Sequence, residues 1–260
     1  MERQEELLLQ KRWMDLSRMA NRKGLVLFSN FLNLNELNLF HQVSSDMETP
    51  YRLSGGYEFA ERQMIAFIPD ALSYAYTNEP EHTPLDFPIA CLHFQPRNSK
   101  FAEKLTHRDV LGACMHLGVE RSRIGDIRLD EQNYYIFCEE GISEYFLESL
   151  TQIRHTMITG GQTEPKNLQW KQTFEHLSGI VASVRLDTIV AFLLKKSRGQ
   201  GALLIQSQKV FINDRAISSK SYECKPGDVI SIRGFGKYIF VGSDGETRKG
   251  RIKISLKKYK

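Results

Sequence analysis

The sequence predicts an α+β protein in three parts: an N-terminal α/β region, a central split βαβ plait and a C-terminal α+β segment. Three observations predict it. Residues 88–170 read in the order β-α-β-β-α-β. From residue 180 the pattern changes to two short helices followed by strands. The charge changes at the same place: Ile180–Lys260 holds 17 Lys and Arg against 6 Asp and Glu, which leaves 18 against 25 in residues 1–179. A net charge of +4 therefore conceals two bodies of opposite sign. A foldable basic segment is the electrostatic footprint of a polyanion partner, most often nucleic acid.

In the N-terminal region, residues 1–78, Leu7, Leu8, Trp13, Leu16 and Met19 form a helical stripe over 3–20. Val26–Phe28 is a short apolar run. Asn33–Val43 reads as a second helix, with Asn33 or Asn35 able to cap it. Ser54-Gly-Gly-Tyr is a turn, Glu58–Gln63 a short helix, and Met64–Pro69 a buried strand. Thr77–Pro88, with three prolines among acids, is the best linker in the chain.

In the central part, residues 88–175, Ile89–Phe94 is a strand and Thr106–Gly118 a helix, capped by Thr106 and ended by Gly118. Ile124–Leu129 and Tyr134–Cys138 pair as a hairpin. Ile142–Leu150 is a helix, and a last strand falls in Ile153–Ile158, with more β structure near Leu168. This is the ferredoxin-like (RRM-like) plait. RNA-recognition modules use it, and so do many enzymes, so the architecture does not license a function. Of its strand aromatics Phe94, Tyr134, Tyr135 and Phe137, the alternation puts Tyr135 and Phe137 on one face. That face is either a base-stacking platform or the core against the helices; Phe137 is assigned to the core and Tyr134 left open. The segment is not notably basic.

In the C-terminal part, residues 180–260, Val184–Lys195 is a helix, and Ser197 caps a second one. Val210–Ile217 is a strand entering a turn, Lys225–Arg233 a turn and strand, and Tyr238–Val241 a further strand. Arg248–Lys260 alternates in part and reads as a basic tail forming a final edge strand, its lysines keeping that edge from pairing with other chains.

Several classes are excluded. No run approaches the roughly 18 apolar residues of a membrane span, and the charged, helix-like start is not a secretory signal, so a cytoplasmic protein is expected. Cys91, Cys114, Cys138 and Cys224 form no C-x-x-C pair and read as reduced thiols rather than a disulfide framework or zinc site. The histidines lack metal spacing. Residues 1–170 carry no glycine-rich phosphate loop, nucleophile elbow or metal motif, so no catalytic residue, metal or cofactor is assigned.

The basic segment groups its cations. Arg185, Lys195, Lys196 and Arg198 lie on or between the two short helices, Lys209–Arg215 forms a tight strand and turn, and Arg233 and Lys237 flank Gly234 and Gly236. Arg and Lys contacts to phosphate, with backbone amides exposed at a helix start, are the chemistry expected. In this order Val184-Arg-Leu-Asp-Thr-Ile-Val, Ser197-Arg, Lys209-Val-Phe-Ile-Asn and Pro226-Gly-Asp-Val-Ile-Ser-Ile-Arg resemble the S-four type RNA-binding domain, named after the fourth protein of the ribosomal small subunit. The resemblance implies a domain that grips structured RNA with its two helices and the following hairpin. It assigns Arg185, Ser197, Arg198, Lys209, Asn213, Arg233 and Lys237 to RNA, and the position of Lys195 and Lys196 between the two helices adds them as RNA-binding candidates. One departure is Gly199-Gln-Gly after Ser197-Arg, where helix formers are usual; two glycines cost about 1 kcal/mol each against Ala, so a loose helix start is expected.

Gly56-Tyr-Glu-Phe-Ala-Glu-Arg, Leu105-Thr-His-Arg-Asp-Val-Leu-Gly-Ala, Leu117-Gly-Val-Glu-Arg-Ser-Arg-Ile-Gly-Asp-Ile and Arg233-Gly-Phe-Gly-Lys resemble the bacterial YlmH family over most of the chain. That resemblance implies a non-enzymatic RNA-binding protein whose partners are rRNA, tRNA and the ribosomal large subunit. It further implies a role in translation quality control on stalled complexes, with neither DNA nor membrane as partner.

Some motifs have plainer readings. Sequence neighbours on a helix do not face each other, so His107 and Asp109 are not a catalytic pair; His107 and Arg108 are candidate RNA or ribosome contacts on a capped helix start. Arg121 and Arg123, with Asp126, either touch RNA or staple their loop to the plait. The Arg185-Leu-Asp187 motif also occurs in pseudouridine synthases, which makes an RNA-modifying enzyme the alternative. Here it sits inside the RNA-binding helix, where Asp187 would hold Arg185 or cap backbone.

Overall fold

The computed structural model describes residues 2–58, 60–78, 85–165, 174–248 and 250–259, and the chain divides into two compact units, Met1–Gln169 and Trp170–Lys260.

The first unit opens with α1 (Glu2–Lys23), β1 (Leu27–Phe28) and α2 (Leu34–Val43). Of the two possible caps Asn33 is the one used: its Oδ1 accepts from the amides of Asn35 and Glu36, and the Glu36 carboxylate accepts the Asn33 amide at 2.7 Å. β2 (Tyr51–Ser54) and β3 (Met64–Phe67) complete an antiparallel sheet in the order β1-β3-β2. Trp13, Leu37, Ile65 and Phe67 close around Phe40, which meets Trp13 and Tyr51 edge-on. The expected helix at Glu58–Gln63 is not formed among the described residues there, because the amides of Glu61 and Arg62 turn instead to a distant carboxylate. α3 (Asp70–Asn78) occupies a stretch for which the sequence named no element, and it absorbs the start of the expected linker. Residues 79–84 of that linker lie outside the described residues.

The plait follows as β4 (Ile89–Pro96), α4 (His107–His116), β5 (Ile124–Asp130), β6 (Asn133–Glu139), α5 (Ser143–Ser149), β7 (Gln152–Ile153) and β8 (Thr156–Thr163). Its sheet is antiparallel in the order β5-β6-β4-β8-β7. The single strand expected over Ile153–Ile158 is two strands, because Arg154 turns the chain at φ 53°. The expected β structure near Leu168 lies outside the described residues.

Alternation decides the aromatic faces. Ala90, Leu92, Phe94, Tyr134, Ile136 and Cys138 face Val110 and Cys114 of α4 and Phe146 of α5, so Tyr134 is core. Phe137 is fully buried, but not against the helices. It points to the other face, where Tyr57 stacks on it at 4.9 Å. Tyr135 shares that face and stacks on His93 at 4.7 Å.

The second unit runs β9 (Phe174–Val181), α6 (Leu186–Leu194), α7 (Arg198–Gln206), β10 (Val210–Ile212), β11 (Arg215–Ala216), β12 (Val229–Ile232), β13 (Gly236–Glu246) and β14 (Ile252–Tyr259). One sheet takes the order β11-β10-β12-β13-β14-β9. The chain's last residues are therefore not an edge: β9 pairs along the full length of β14, from Val181↔Ile252 to Phe174↔Tyr259. Ile252, Ile254 and Leu256 alternate into the same core as Leu177 and Val181, which is why the pairing register is fixed. That core packs Leu186, Ile189, Val190 and Ile205 of the helices against Ile230, Ile232, Tyr238 and Phe240 of the sheet.

Candidate nucleic-acid interface

The start of α6 and the start of α7 meet on one carboxylate. Asp187 is 2% exposed. Its Oδ2 accepts from Arg198 Nε at 2.8 Å, and its Oδ1 lies 3.4 Å from Arg185 Nε, with the Thr188 hydroxyl donating at 3.3 Å. Burial alone would raise the carboxyl's pKa; bonds and charge from Arg198 and Arg185 outweigh it and hold the group below the ordinary carboxylate value. The acid thus positions two cations, and the Arg185 and Arg198 side chains remain one-third and one-half exposed.

Ser197 caps α7: its Oγ accepts the Gln200 amide at 3.3 Å, and Gln200 Oε1 accepts the Ser197 amide at 3.1 Å. The start of α7 is therefore closed rather than loose, because Gln200 completes a capping box. Gly201 is there for space. A Cβ on it would lie 2.7 Å from the Asp187 carbonyl oxygen, so the glycine is what lets α7 cross α6 at the depth that brings Arg198 to Asp187. Lys195, in the left-handed region at φ 51°, ends α6, and it and Lys196 are exposed in the turn between the helices.

The remaining assigned residues separate. Lys209 and Arg233 are exposed at one end of the β10–β12 pair, joined where the Arg233 amide donates to the Lys209 carbonyl at 2.9 Å. Asn213 is at the opposite end, and its amide side chain is engaged there: Nδ2 donates to Asp228 at 3.1 Å and Oδ1 accepts from the Val229 amide. Asp228, itself buried, also accepts from the Tyr222 hydroxyl and the Lys225 amide, and burial followed by the bond to Asp228 and its charge pushes the Tyr222 phenol up to about 12. Lys237 alternates with the core residue Tyr238, so it lies on the sheet face away from α6 and α7.

In the first unit the Gly56–Arg62 and Ile124–Ile127 motifs come together. Asp126 accepts from the Tyr57 hydroxyl at 2.6 Å and from the amides of Glu61 and Arg62 at 2.7 and 3.0 Å. The Arg62 guanidinium donates to the carbonyls of Ile124 and Phe31, both at 2.9 Å, and its pKa falls to about 10 through burial and the charge of Arg121. Gly125 makes room, since a Cβ there would lie 2.7 Å from the Phe31 ring. Arg121 donates to the carbonyls of Ile124 and Gly125, and Arg123 pairs with Glu139 at 2.6 Å. Both arginines are thus staples of their loop to the plait. His107 and Arg108 are exposed at the start of α4; partial burial and the charge of Arg121 lower the His107 pKa. Arg108 lines a groove of about 500 Å³ with Gly112, His116, Thr151 and Arg154. Arg62 was not singled out in the sequence, although the Gly56–Arg62 motif ends on it.

Residues 82–167 match the family described as a putative RNA-binding domain in YlmH, and residues 184–230 match the S4 domain. The ribosome-associated protein quality control protein P2 of Bacillus subtilis is 26% identical over 89% of this chain and 87% of its own length. The small ribosomal subunit protein uS4 of Lachnoclostridium phytofermentans is 28% identical over 48% of this chain and 66% of its own length. A solved structure, the cell division protein YlmH from Streptococcus pneumoniae, superposes with a TM-score of 0.50 at 20% identity, over 63% of this chain and 93% of that one, which speaks to the fold. The chain thus carries a YlmH-type RNA-binding domain at its centre and an S4 domain behind it, and over most of its length it is similar to a YlmH-type ribosome-associated protein.

Proposed function

We propose that this chain is a non-enzymatic, cytoplasmic RNA-binding protein of the ribosome. It docks its S4 domain on large-subunit rRNA beside tRNA, in quality control of stalled complexes. The observation that carries the reading is the Asp187 clamp, which presents Arg185 and Arg198 together beside the exposed Lys195 and Lys196. Guanidiniums fixed in this way meet phosphate with little further ordering cost. The B. subtilis relative, whose name describes a ribosome-associated quality control protein, supports the choice of partner. The clamp also weighs against the RNA-modifying alternative: a buried carboxylate already bonded to two arginines and a threonine is not poised to act as a base.

Cosedimentation with large subunits over a salt series tests this. Binding should weaken steeply with salt, and Arg185→Ala with Arg198→Ala should lower the slope of log affinity against log salt by about 1 per residue. A flat salt response, or unchanged binding by that folded variant, would remove the assignment.

A further inference from the structure

The sheet of the second unit has two faces, and the S4 helices cover one. The other is built by β13, β14 and β9, largely beyond the matched residues 184–230. Register places Lys237, Tyr259 and Phe174 on this outer face, together with Ile239, Lys257 and His176, and Lys253 with Ile180. The inner residues, Tyr238, Phe240, Leu256, Ile254, Leu177 and Val181, alternate with them into the core. Alternation thus sorts three lysines and a histidine to one side.

Two of those lysines are held. Lys237 Nζ lies 5.5 Å from the centre of the Tyr259 ring, Lys257 Nζ lies 5.5 Å from that of Phe174, and the two rings meet edge-on at 5.2 Å. Ring faces attract ammonium groups, so the aromatic pair fixes two positive charges side by side rather than leaving them to solvent. Among the described residues Asp244 reaches this face, where it accepts from the Ser255 hydroxyl at 2.6 Å. A solvated antiparallel face ordinarily mixes signs, because like charges across strands repel. Towards β10 the face is closed, since Phe211 and Ser231 are buried; towards β9 it is open, with His176, Ile180 and Lys253 exposed.

We infer that the outer face of β13, β14 and β9 is a second RNA-backbone docking surface, in which Lys237, Lys253 and Lys257 contact phosphates on the side of the sheet opposite Arg185 and Arg198. An RNA gripped by the helices would reach it only from a second strand or a second helix, so the domain would hold RNA from two sides. The inference extends the RNA-binding reading of the S4 domain and concerns residues that reading does not require, apart from Lys237.

The test uses the full chain, with Lys237→Gln, Lys253→Gln and Lys257→Gln combined, and two probes: a fluorescein-labelled oligouridylate and purified large ribosomal subunits. The expected result is a salt slope lower by about 2 on the single-stranded probe, with affinity down at least tenfold. An unchanged melting temperature establishes that the variant is folded, and Lys253→Gln alone, at the most exposed of the three, gives a smaller change of the same sign if the triple variant is destabilised. The Arg185→Ala, Arg198→Ala variant is measured in parallel. Because the two sets share no partner, their losses in log affinity should add. Loss on the lysine variant with normal binding by the arginine variant would leave this inference standing and remove the helix surface; the reverse would overturn this inference alone. Unchanged RNA binding by the lysine variant, including the case where it loses only attachment to phosphatidylserine vesicles, also overturns it.

Discussion

Asp187 Oδ2 and Arg198 Nε lie 2.8 Å apart although they belong to different helices, and the carboxylate side chain is almost wholly buried while that of the arginine is half exposed. The pair therefore joins the helix crossing to the outward-facing charge. Asp187→Asn should lower stability by about 2 kcal/mol, towards the low end for a buried pair because water screens the exposed guanidinium. The sign with pH is fixed by the direction of the shift. A carboxyl held below its ordinary value contributes stability above that value and loses it as the pH falls through the folded-state value, in the range below about 4. Urea midpoints of the wild type should fall in that window, and those of Asp187→Asn should fall less.

The two glycines of α7 give opposite predictions. Gly201→Ala places a Cβ 2.7 Å from the Asp187 carbonyl oxygen and 3.2 Å from the Ala191 amide, which are backbone atoms and cannot step aside. Strain of about 1–3 kcal/mol should exceed the roughly 1 kcal/mol gained in helix propensity, leaving a net loss. At Gly199 the nearest atom to an added Cβ is Ser197 Oγ at 4.0 Å, so Gly199→Ala should stabilise by up to about 1 kcal/mol. Thermal unfolding of both variants checks the pair, and a stabilised Gly201→Ala would refute the close crossing.

These glycines also mark what the sequence could and could not disclose. Propensity sees Gly199 and Gly201 alike, as weak helix formers; only the crossing with α6 distinguishes them. The caps at Asn33, Thr106 and Ser197 were legible because their partners lie three residues away. The plait order was legible because its elements follow one another along the chain. Phe137 is buried against Tyr57 rather than the helices, which sequence does not disclose, because alternation gives a face without saying what covers it and the cover comes from before the plait. The last strand reads as an edge in sequence because its partner, β9, lies some 75 residues earlier in the chain. Of the candidate site, the basic residues of the helices were readable as a run, whereas the fate of Arg121, Arg123 and Asn213 was not. A charged or amide side chain reads the same in sequence whether it faces solvent or carbonyls of its own fold.

Asp126 is the joint between the N-terminal sheet and the plait, and its substitutions should rank. Tyr57→Phe removes one hydrogen bond and should cost about 1 kcal/mol. Asp126→Ala leaves the Tyr57 hydroxyl and the amides of Glu61 and Arg62 without their acceptor and should cost about 2–4 kcal/mol. Asp126→Asn, which keeps one acceptor oxygen, should fall between them. Chemical denaturation of the three variants checks the order; an Asp126→Ala variant as stable as Tyr57→Phe would show that the joint is not made there.

The four buried thiols report on both units at once. Burial pushes Cys91, Cys114, Cys138 and Cys224 up to about 12, so the reactive thiolate is scarce at pH 8. An aromatic disulfide reagent should find all four slow in the native protein and fast in denaturant, with native labelling limited by local opening. The positions make the readout specific: Cys91, Cys114 and Cys138 line the plait, whereas Cys224 sits in the core under α6. Asp126→Ala should therefore hasten labelling of the plait thiols and leave Cys224 slow, while Asp187→Asn should do the reverse. Peptide mapping of the labelled sites separates the two patterns, and equal acceleration of all four thiols by either variant would mean that the two units open together.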